Sequence, residues 1–296
     1  MKIVQSYWAK PSLKNESLHQ SDRNKGGWTD KKYNYMSWAL SCLQFRKFYP
    51  EVELVTDRVG FDLLINKLEL PYTKVDVRLD DLNSYHPDLW ALGKIFTYGL
   101  QDSPFIHADS DVFIYSGFSS AMENSGLIAQ NIERGFHYYD KLVKSIQSSF
   151  AYVPVSISNS VAKNGEILSV NAGLLGGNNI DFLKSYVKES FAFIDENVDR
   201  LGLIDIGLFN NVFEQILFYA MSERAELDIH YQLSNVNHAF DNLANLTDVP
   251  GKQRFVHTVG IYKRMQYIAD LVEYRLLSDH PEYYFKIKKL TGANFI

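Results

Sequence analysis

The chain has 296 residues, enough for one large or two small domains, and 46% of them are apolar and 22% charged, an ordinary globular composition. Its formal net charge of −5 argues against nucleic acid as the main partner, because phosphate binding usually shows as an excess of basic residues. The single cysteine, Cys42, excludes an internal disulfide and favours a reducing compartment, so we expect a cytoplasmic protein.

The first part of the chain alternates between short β-type runs and helical patterns. Thr29 or Asp30 can cap the first long helix, and Pro50 stops it. The predicted elements are a strand at 2–7, a helix from the cap to about Tyr49, strands at 52–56 and 72–77 with a helix at 60–69 between them, a helix at 89–100 and a strand at 105–108.

This alternation predicts an α/β fold with a mostly parallel central sheet flanked by helices. Ligands of such sheets bind beyond the carboxyl ends of the strands. The residues that follow the first, second and fourth strands all fall at this edge: 6–8, 56–57, Asp109 and Asp111. Their convergence favours a ligand site there.

The second half of the chain has a less regular pattern. The predicted elements are a β-type run from Ser148 to Ile157, strands at 167–174 and 254–257, helices at about 180–196, 206–222 and 263–278, and a helical tail around 282–290. Since no linker composition is visible, we expect one continuous domain.

Two carboxylates, Asp109 and Asp111, stand at spacing i, i+2 between apolar residues. Moving an unpaired carboxylate out of water costs several kcal/mol, so packing does not explain two of them. Carboxylate oxygens suit hard cations such as Mg²⁺ and Mn²⁺. The pair therefore favours a metal ion that binds an anionic group, most simply a diphosphate; the alternative is a strand-end turn with two solvated acids.

Three further segments follow in order: N-A-G-L-L-G-G-N at 171–178, N-N-V-F-E-Q-I-L at 210–217 and V-H-T-V-G-I-Y-K at 256–263. With the acidic pair they resemble the GT-A-fold, nucleotide-sugar-dependent glycosyltransferases, in particular family 8, the glycogenin and lipopolysaccharide-galactosyltransferase type. That family carries a D-x-D after the fourth strand, an N-x-G segment, an acid-Gln pair on a helix and a late H-x-x-G-x-x-K.

The resemblance spans roughly residues 2–263 and implies a single GT-A (Rossmann-like) domain at 1–263. Its nucleotide-binding half would be residues 1–115 and its acceptor and metal half residues 116–263. The remainder, 264–296, is expected to be a helical extension packed on this domain.

The resemblance implies that Asp109, Asp111 and His257 hold Mn²⁺ or Mg²⁺, which bridges the diphosphate of the sugar donor. An imidazole beside two carboxylates fits Mn²⁺ better than Mg²⁺. Gly260 would let the backbone approach the phosphates, and Lys263 would pair with them as a point charge. The alternative for His257 is a histidine whose hydrogen bonds are satisfied within the protein.

The resemblance also implies residues that bind the rest of the nucleotide. Lys94 corresponds to a basic residue that reaches the donor, the alternative being a surface lysine whose stem packs on the protein. Tyr7 and Trp8 follow the first strand, where either could stack on the base or belong to the core, and Asp57 could bond to the ribose or base. Because this stretch departs from the family's small-residue-plus-acid ending, a UDP-sugar donor is implied by the resemblance alone.

Four further residues would lie near the transferred sugar. Asn171 and Gly173 are expected to line the donor-sugar and acceptor cleft, and Glu214 and Gln215 to lie under the donor sugar; the alternative for this pair is a solvated helix face. The resemblance implies retention of configuration, with front-face attack assisted by the leaving phosphate. If Glu214 reaches the acceptor hydroxyl, it could instead act as a general base in an inverting reaction.

Two other classes of protein compete with this interpretation. A haloacid-dehalogenase-type phosphatase also has D-x-D after a strand, but it needs Thr or Val where this chain has Phe113, and it places the motif on its first strand. A catalytically silent sugar- or nucleotide-binding protein of the same fold would be expected to lose a metal ligand, whereas both acids and His257 are present.

The predicted function is metal-dependent transfer of a sugar from a nucleotide-diphosphate sugar to a hydroxyl of a glycan, lipid-linked glycan or small molecule. No apolar run approaches about 18 residues, so no transmembrane helix is expected. The basic and aromatic tail at 282–290 leaves two interpretations, a helix packed on the domain or a weak contact with the inner face of a membrane.

Overall fold

The structure is a computed structural model that describes residues 1–13, 25–234 and 243–296. Its strands are β1 (Lys2–Tyr7), β2 (Val52–Thr56), β3 (Lys74–Val77), β4 (Phe105–Ala108), β5 (Val112–Ile114), β6 (Leu127–Glu133), β7 (Ser169–Gly177), β8 (Ile229–Tyr231) and β9 (Phe255–His257).

The α-helices of the described residues are α1 (Lys10–Leu13), α2 (Lys31–Phe48), α3 (Arg58–Phe61), α4 (Leu92–Gly99), α5 (Ser120–Glu123), α6 (His137–Ser149), α7 (Val155–Asn164), α8 (Ile180–Asp195), α9 (Ile206–Asn211), α10 (Leu217–Arg224), α11 (Gln266–Asp279) and α12 (Pro281–Gly292). Short 3₁₀ segments cover Leu79–Leu82, Val198–Leu203 and Gly260–Arg264, and π-helical segments cover Asp62–Lys67 and Val212–Ile216.

The chain divides into two units. The first unit comprises Lys2–Pro87, Ala108–Phe118 and Val236–Ile296, and the second comprises Met1, Asp88–His107 and Ser119–Asn235.

The first unit contains a parallel sheet in the order β3-β2-β1 and a separate antiparallel pair, β5 and β9. All of β2 is buried, because helices cover this sheet. The parallel pairing places the carboxyl ends of β1 and β2 side by side, with Tyr7 opposite Thr56.

Helix α2 is the main support of the first unit. Asp30 caps it by accepting a hydrogen bond from the Lys32 amide, and the helix ends just before Pro50. Its buried face, which includes Met36 and Leu40, shares one apolar core with Ile268 of α11 and Ile287 of α12. The C-terminal helices are therefore part of the core of the first unit.

The second unit contains strands in the order β4-β7-β6-β8, with β6 antiparallel to β7 and parallel to β8. Two glycines end β7. A Cβ at Gly176 would lie 2.2 Å from the Phe105 carbonyl oxygen, and Gly177 has a φ of +136°. Neither position accepts a larger residue without a shift of the backbone.

The architecture confirms the predicted α/β class, with mostly parallel strand pairing, flanking helices and a helical C-terminus. The β-type run predicted from Ser148 to Ile157 is wrong, because α6 continues to Ser149 and α7 begins at Val155. Pro154 is the residue before α7, a position where its fixed φ is compatible with a helix start. Of the β-branched residues in this run, Val153 precedes α7, Val155 is exposed at its start and Ile157 is buried.

None of the helices in the described parts of the chain combines the length and the apolar character needed to cross a membrane.

Candidate functional site

The acidic pair lies in a tight turn between β4 and β5. Both strands are buried along their whole lengths. The Val112 amide donates to the Asp109 carbonyl at 3.1 Å, which closes a four-residue turn. Asp111 is buried and Asp109 is partly exposed. The turn therefore holds two carboxylates at the end of a buried strand, only one of which is sealed from water.

The pairing of β5 with β9 brings His257 to this turn. Val112 lies opposite His257 in the antiparallel register, and the Thr258 amide donates to the Asp111 carbonyl at 3.1 Å. Directly opposed residues on such strands have Cβ atoms about 5 Å apart. As a result, His257 Nε2 lies 3.4 Å from Asp111 Oδ2, although the two residues are far apart in the sequence.

The 3₁₀ turn at Gly260–Arg264 follows β9 and carries Lys263. Gly260 opens the turn with a φ of +58°, a left-handed conformation that glycine adopts without steric cost. The turn leads Lys263 back to the acidic pair, with its Nζ 2.7 Å from Asp111 Oδ2. The last residue of the H-x-x-G-x-x-K segment therefore contacts the second acid of the D-x-D.

The electrostatics of Asp111 are set by burial and by two neighbouring groups. Burial alone would raise the pKa of its carboxyl, but Lys263 and His257 outweigh that effect and hold the pKa below its ordinary value. Asp111 is therefore a carboxylate, attracted to positive charge, even though it is buried.

Three side chains at this turn offer the ligand atoms of a cation site. Asp109 and Asp111 each offer a carboxylate oxygen and His257 offers an imidazole nitrogen, and these three atoms lie within 4.8 Å of one another. Two carboxylate oxygens and an imidazole nitrogen form a donor set that suits a divalent cation, and Mn²⁺ better than Mg²⁺. The residues present therefore fit the kind of metal that the sequence predicts.

The residues predicted to bind the base lie at the ends of β1 and β2. Tyr7 is partly buried, and its ring meets Trp38 edge to face at 5.3 Å. Burial raises the pKa of Tyr7, so its hydroxyl stays protonated. Trp8 is buried, with 6% of its surface exposed. Both side chains therefore pack against other residues of the protein, and only Tyr7 is partly exposed.

Asp57 has a local structural role in this group. Its carboxylate accepts hydrogen bonds from the Gly60 amide at 2.7 Å, as the cap of α3, and from the Ala9 amide at 2.6 Å. Burial raises the pKa of Asp57, and these two hydrogen bonds oppose the shift. Asp57 thus ties the loop after β1 to the loop after β2.

In the second unit, Lys94 and Glu214 form a buried ion pair. Lys94 Nζ lies 2.6 Å from Glu214 Oε1 and donates to the Ala172 carbonyl at 3.2 Å. The Glu214 side chain has no exposed surface. Glu214 and Gln215 lie on the π-helical segment Val212–Ile216, and the Gln215 side chain is partly exposed. The two predicted residues Lys94 and Glu214 are therefore direct partners.

Asn171 and Gly173 lie on the buried strand β7 of the same unit. The Asn171 side chain accepts from the Gly173 amide at 3.0 Å and donates to Glu133 Oε1 at 2.9 Å. The other carboxylate oxygen of Glu133 accepts from the Tyr139 hydroxyl at 3.0 Å. This polar chain adjoins the residue whose carbonyl contacts Lys94, so the N-x-G segment is held from both sides.

The predicted site residues thus form three groups. In the first unit, one group at the acidic turn contains Asp109, Asp111, His257, Gly260 and Lys263, and another at the ends of β1 and β2 contains Tyr7, Trp8 and Asp57. In the second unit, the group around β7 contains Lys94, Asn171, Gly173, Glu214 and Gln215.

Several residues that support these groups were not predicted. Glu133 lies next to Asn171 without belonging to any motif. Gln5, Ser37 and Ser41 contact the backbone of the acidic turn. Their sequence positions give a weak signal: Gln5 directly follows the apolar residues Ile3 and Val4 of β1, and Ser37 and Ser41 share a helix face at i, i+4.

Three solved structures similar to this chain are glycosyltransferases. The galactosyltransferase LgtC in complex with donor and acceptor sugar analogs is 13% identical, with a TM-score of 0.38 over 72% of this chain and 70% of that one. The glycosyltransferase GlyE of Streptococcus pneumoniae TIGR4 is 9% identical, with a TM-score of 0.46 over 99% of this chain and 63% of that one. An active-site mutant of LgtC is 12% identical, with a TM-score of 0.38 over the same shares.

These enzymes are of the kind that the sequence motifs resemble, but such identities and TM-scores transfer no activity. No curated protein matches the sequence. The model of a family of unknown function, DUF6734, matches residues 1–290.

Proposed function

Because this chain belongs to the family of unknown function DUF6734, its activity has to be inferred from its own site, and we propose that it is a metal-dependent glycosyltransferase. It would transfer a sugar from a nucleotide-diphosphate sugar to an acceptor hydroxyl. The observation that carries the proposal is the group of ligand atoms from Asp109, Asp111 and His257 within 4.8 Å of one another, with Lys263 in contact with Asp111.

The proposed metal is Mn²⁺, held by Asp109, Asp111 and His257. When bound, a divalent cation would neutralise the negative charge that develops on a departing diphosphate. The imidazole of His257 favours Mn²⁺ over Mg²⁺, which prefers oxygen ligands only.

Lys263 is proposed to bind a phosphate of the donor. Its side chain is 21% exposed, and its ammonium group contacts the proposed metal ligand Asp111. A lysine in such a position acts as a point charge that stabilises phosphate oxygens. The positive φ of Gly260 supports this role, because it directs the turn that presents Lys263.

The nucleoside of the donor is proposed to bind at the ends of β1 and β2, near Tyr7, Trp8 and Asp57. The carboxyl end of a parallel sheet is the usual place for such ligands. Tyr7 is a partly exposed aromatic residue at this edge, which supports stacking on a base. Uridine is the proposed base, from the resemblance of the sequence motifs.

The second-unit residues Lys94, Asn171, Gly173, Glu214 and Gln215 are proposed to serve the sugar side of the reaction. Glu214 has no exposed surface and its carboxylate is held by Lys94, which argues against its taking a proton from an acceptor hydroxyl. We therefore favour transfer with retention of configuration over an inverting reaction with Glu214 as the general base. Gln215, which is partly exposed, is the member of this pair that can contact a sugar.

The acceptor is proposed to be a carbohydrate or glycolipid, and the setting the cytoplasm. The one cysteine, Cys42, is buried and free, which agrees with a reducing compartment.

Calorimetric titration of the protein with UDP and UDP-sugars, with and without Mn²⁺, tests the proposal. We expect binding that depends on Mn²⁺ and is lost in Asp109→Asn and Asp111→Asn, which remove a ligand charge without changing shape. The loss should exceed the roughly 10–100-fold that removing an outer partner costs a metal site.

Asp102→Asn is the matched control, because Asp102 is an exposed acid paired with Lys184. It should bind as the wild type does. Nucleotide binding that is equally tight without Mn²⁺, or no binding of any nucleoside diphosphate, would contradict the proposal. Incubation of a bound UDP-sugar with candidate acceptors, followed by NMR of the anomeric proton, then tests retention.

A further inference from the structure

The backbone of the acidic turn is held by buried side chains. Each carbonyl oxygen from Ala108 to Val112 accepts at least one hydrogen bond. The first two carbonyls face Gln5 of β1, whose Nε2 lies 3.5 Å from the Ala108 oxygen and 3.4 Å from the Asp109 oxygen. Gln5 therefore reaches the point where β4 ends and the turn begins.

Two serines of α2 hold the rest of the turn. Ser37 Oγ donates to the Ser110 carbonyl at 2.8 Å, and Ser41 Oγ donates to the Val112 carbonyl at 2.7 Å. Because the two serines are separated by one helical turn, a single helix face spans the segment from Ser110 to Val112. The central and last residues of the turn are thus fixed to the same rigid element.

The remaining carbonyl, that of Asp111, is held from β9. The Thr258 amide donates to it at 3.1 Å, and the Thr258 hydroxyl lies 3.4 Å from it. Thr258 directly follows His257, so this contact also fixes the distance between the histidine and the second acid.

The orientation of the Gln5 amide follows from its partners. Ser41 has one hydroxyl proton, which it donates to Val112, so it must accept from Gln5 Nε2, which lies 2.9 Å away. The amide oxygen then faces the Tyr72 hydroxyl, which donates to it at 2.8 Å. One Gln5 N–H is therefore donated to Ser41, and the other is left to face the Ala108 and Asp109 carbonyls of the turn.

None of the side chains of Gln5, Ser37, Ser41 and Thr258 has any exposed surface. Water cannot replace their hydrogen bonds, and a buried carbonyl that loses its donor is expensive. The turn itself is closed by one backbone hydrogen bond, from the Val112 amide to the Asp109 carbonyl. Four buried polar side chains directed at one turn are explained better by the need to fix its two carboxylates.

We propose that Gln5, Ser37 and Ser41 are positioning residues for the metal ligands Asp109 and Asp111. They bind the carbonyls of the turn and so fix the backbone from which both carboxylates extend. This inference rests on the metal site of the proposed function. Outer partners of this kind fix ligand orientation, and their loss weakens metal sites.

Titration with Mn²⁺ alone, followed by calorimetry, tests the proposal in the full chain. Ser37→Ala and Gln5→Met each remove the donors at nearly constant shape, and both should weaken Mn²⁺ binding about 10- to 100-fold at unchanged stoichiometry. Ser37→Thr restores a hydroxyl and should bind more tightly than Ser37→Ala. The stoichiometry reports the folded fraction, so a variant that is merely less stable keeps its affinity.

Two matched controls lose buried hydrogen bonds elsewhere. Ser190→Ala removes a buried hydroxyl that donates to the Tyr186 and Phe213 carbonyls, and Gln44→Met removes a buried amide that donates to Asp279. Both should bind Mn²⁺ as the wild type does. Wild-type binding that is unchanged in Ser37→Ala and Gln5→Met overturns this inference alone. A wild-type protein that binds no Mn²⁺ overturns the metal site of the proposed function and this inference with it.

Discussion

Each unit of the molecule contains a buried carboxylate beside a lysine, but the two pairs have different surroundings. In the first unit, Asp111 lies 2.7 Å from Lys263, and a second acid and a histidine add ligand atoms within 4.8 Å. In the second unit, Glu214 lies 2.6 Å from Lys94, whose ammonium group also donates to a backbone carbonyl.

The difference shows that an ion pair does not by itself identify a ligand site. The Lys94 side chain is 11% exposed, and its ammonium group contacts the Glu214 carboxylate and the Ala172 carbonyl. Its positive charge therefore compensates the buried charge of Glu214. The Lys263 side chain is 21% exposed, and the acidic turn that it contacts also carries the partly exposed Asp109. The acidic turn differs from the buried Lys94–Glu214 pair of the second unit in two ways: it has additional ligand atoms, and it is accessible to solvent.

The largest effect is expected when the buried Lys94–Glu214 ion pair is broken. Lys94→Met leaves the Glu214 carboxylate buried without its lysine, so the free energy of unfolding should fall by about 3–5 kcal/mol. Chemical denaturation measures this loss. Mn²⁺ affinity should stay as in the wild type, because none of the three metal ligands changes.

Two variants sharpen this prediction. Lys94→Met combined with Glu214→Leu replaces the pair by apolar groups and should recover most of the stability. Lys184→Met removes an exposed lysine paired with Asp102 and should cost less than about 1 kcal/mol. If Lys94→Met lowered the free energy of unfolding no more than Lys184→Met, the Lys94–Glu214 pair would not stabilise the fold. The proposed difference between the two buried pairs would then be wrong.

A smaller effect is expected at the acidic turn, where the lysine is proposed to serve a ligand. Lys263→Met should weaken binding of UDP in the presence of Mn²⁺ by about 10- to 100-fold, the worth of one hydrogen bond to a charged group. Binding of Mn²⁺ alone should not weaken, since the substitution removes a positive charge from beside Asp111. Calorimetry with Mn²⁺ and then with UDP separates the two effects.

Lys252→Met is the control for Lys263→Met, because Lys252 is exposed in the same unit. It should change neither titration. If Lys263→Met left UDP binding unchanged, Lys263 would have the same role as Lys94, and the two pairs would be equivalent.

Local signals in the sequence predicted much of the fold. The strands at 2–7, 52–56 and 105–108 have the predicted bounds, and of the two predicted caps of α2, Thr29 and Asp30, the structure has Asp30. Apolar periodicity and capping depend on neighbours in the chain, so they can be recognised without a structure. The strand predicted around Pro154 is wrong because a short apolar run fits a helix as well as a strand, and here a helix begins at Val155.

The sequence indicates the residues of the candidate site but not the contacts among them. Asp109 and Asp111 stand out by their position after an apolar run, whereas the approach of His257 depends on the pairing of two strands of three residues each. The partnership of Lys94 with Glu214 arises from packing between distant segments. The polar character of Gln5, Ser37 and Ser41 is visible in the sequence, but their backbone partners are not, because those contacts depend on how distant segments pack.

The smallest expected effect concerns the backbone that presents Lys263. Gly260→Ala has open space for its new Cβ but must keep a φ of +58°, which costs an alanine about 1–2 kcal/mol. Gly202→Ala is the matched control, because its Cβ also meets no atom within 4 Å and its backbone is not left-handed. Chemical denaturation should therefore show a lower free energy of unfolding for Gly260→Ala and almost no change for Gly202→Ala.

UDP binding in the presence of Mn²⁺ should weaken less in Gly260→Ala than in Lys263→Met, because the alanine displaces the lysine without removing its charge. A larger loss of binding at Gly260 would mean that the backbone of the turn, more than the ammonium group, makes the acidic turn differ from the sealed pair in the second unit.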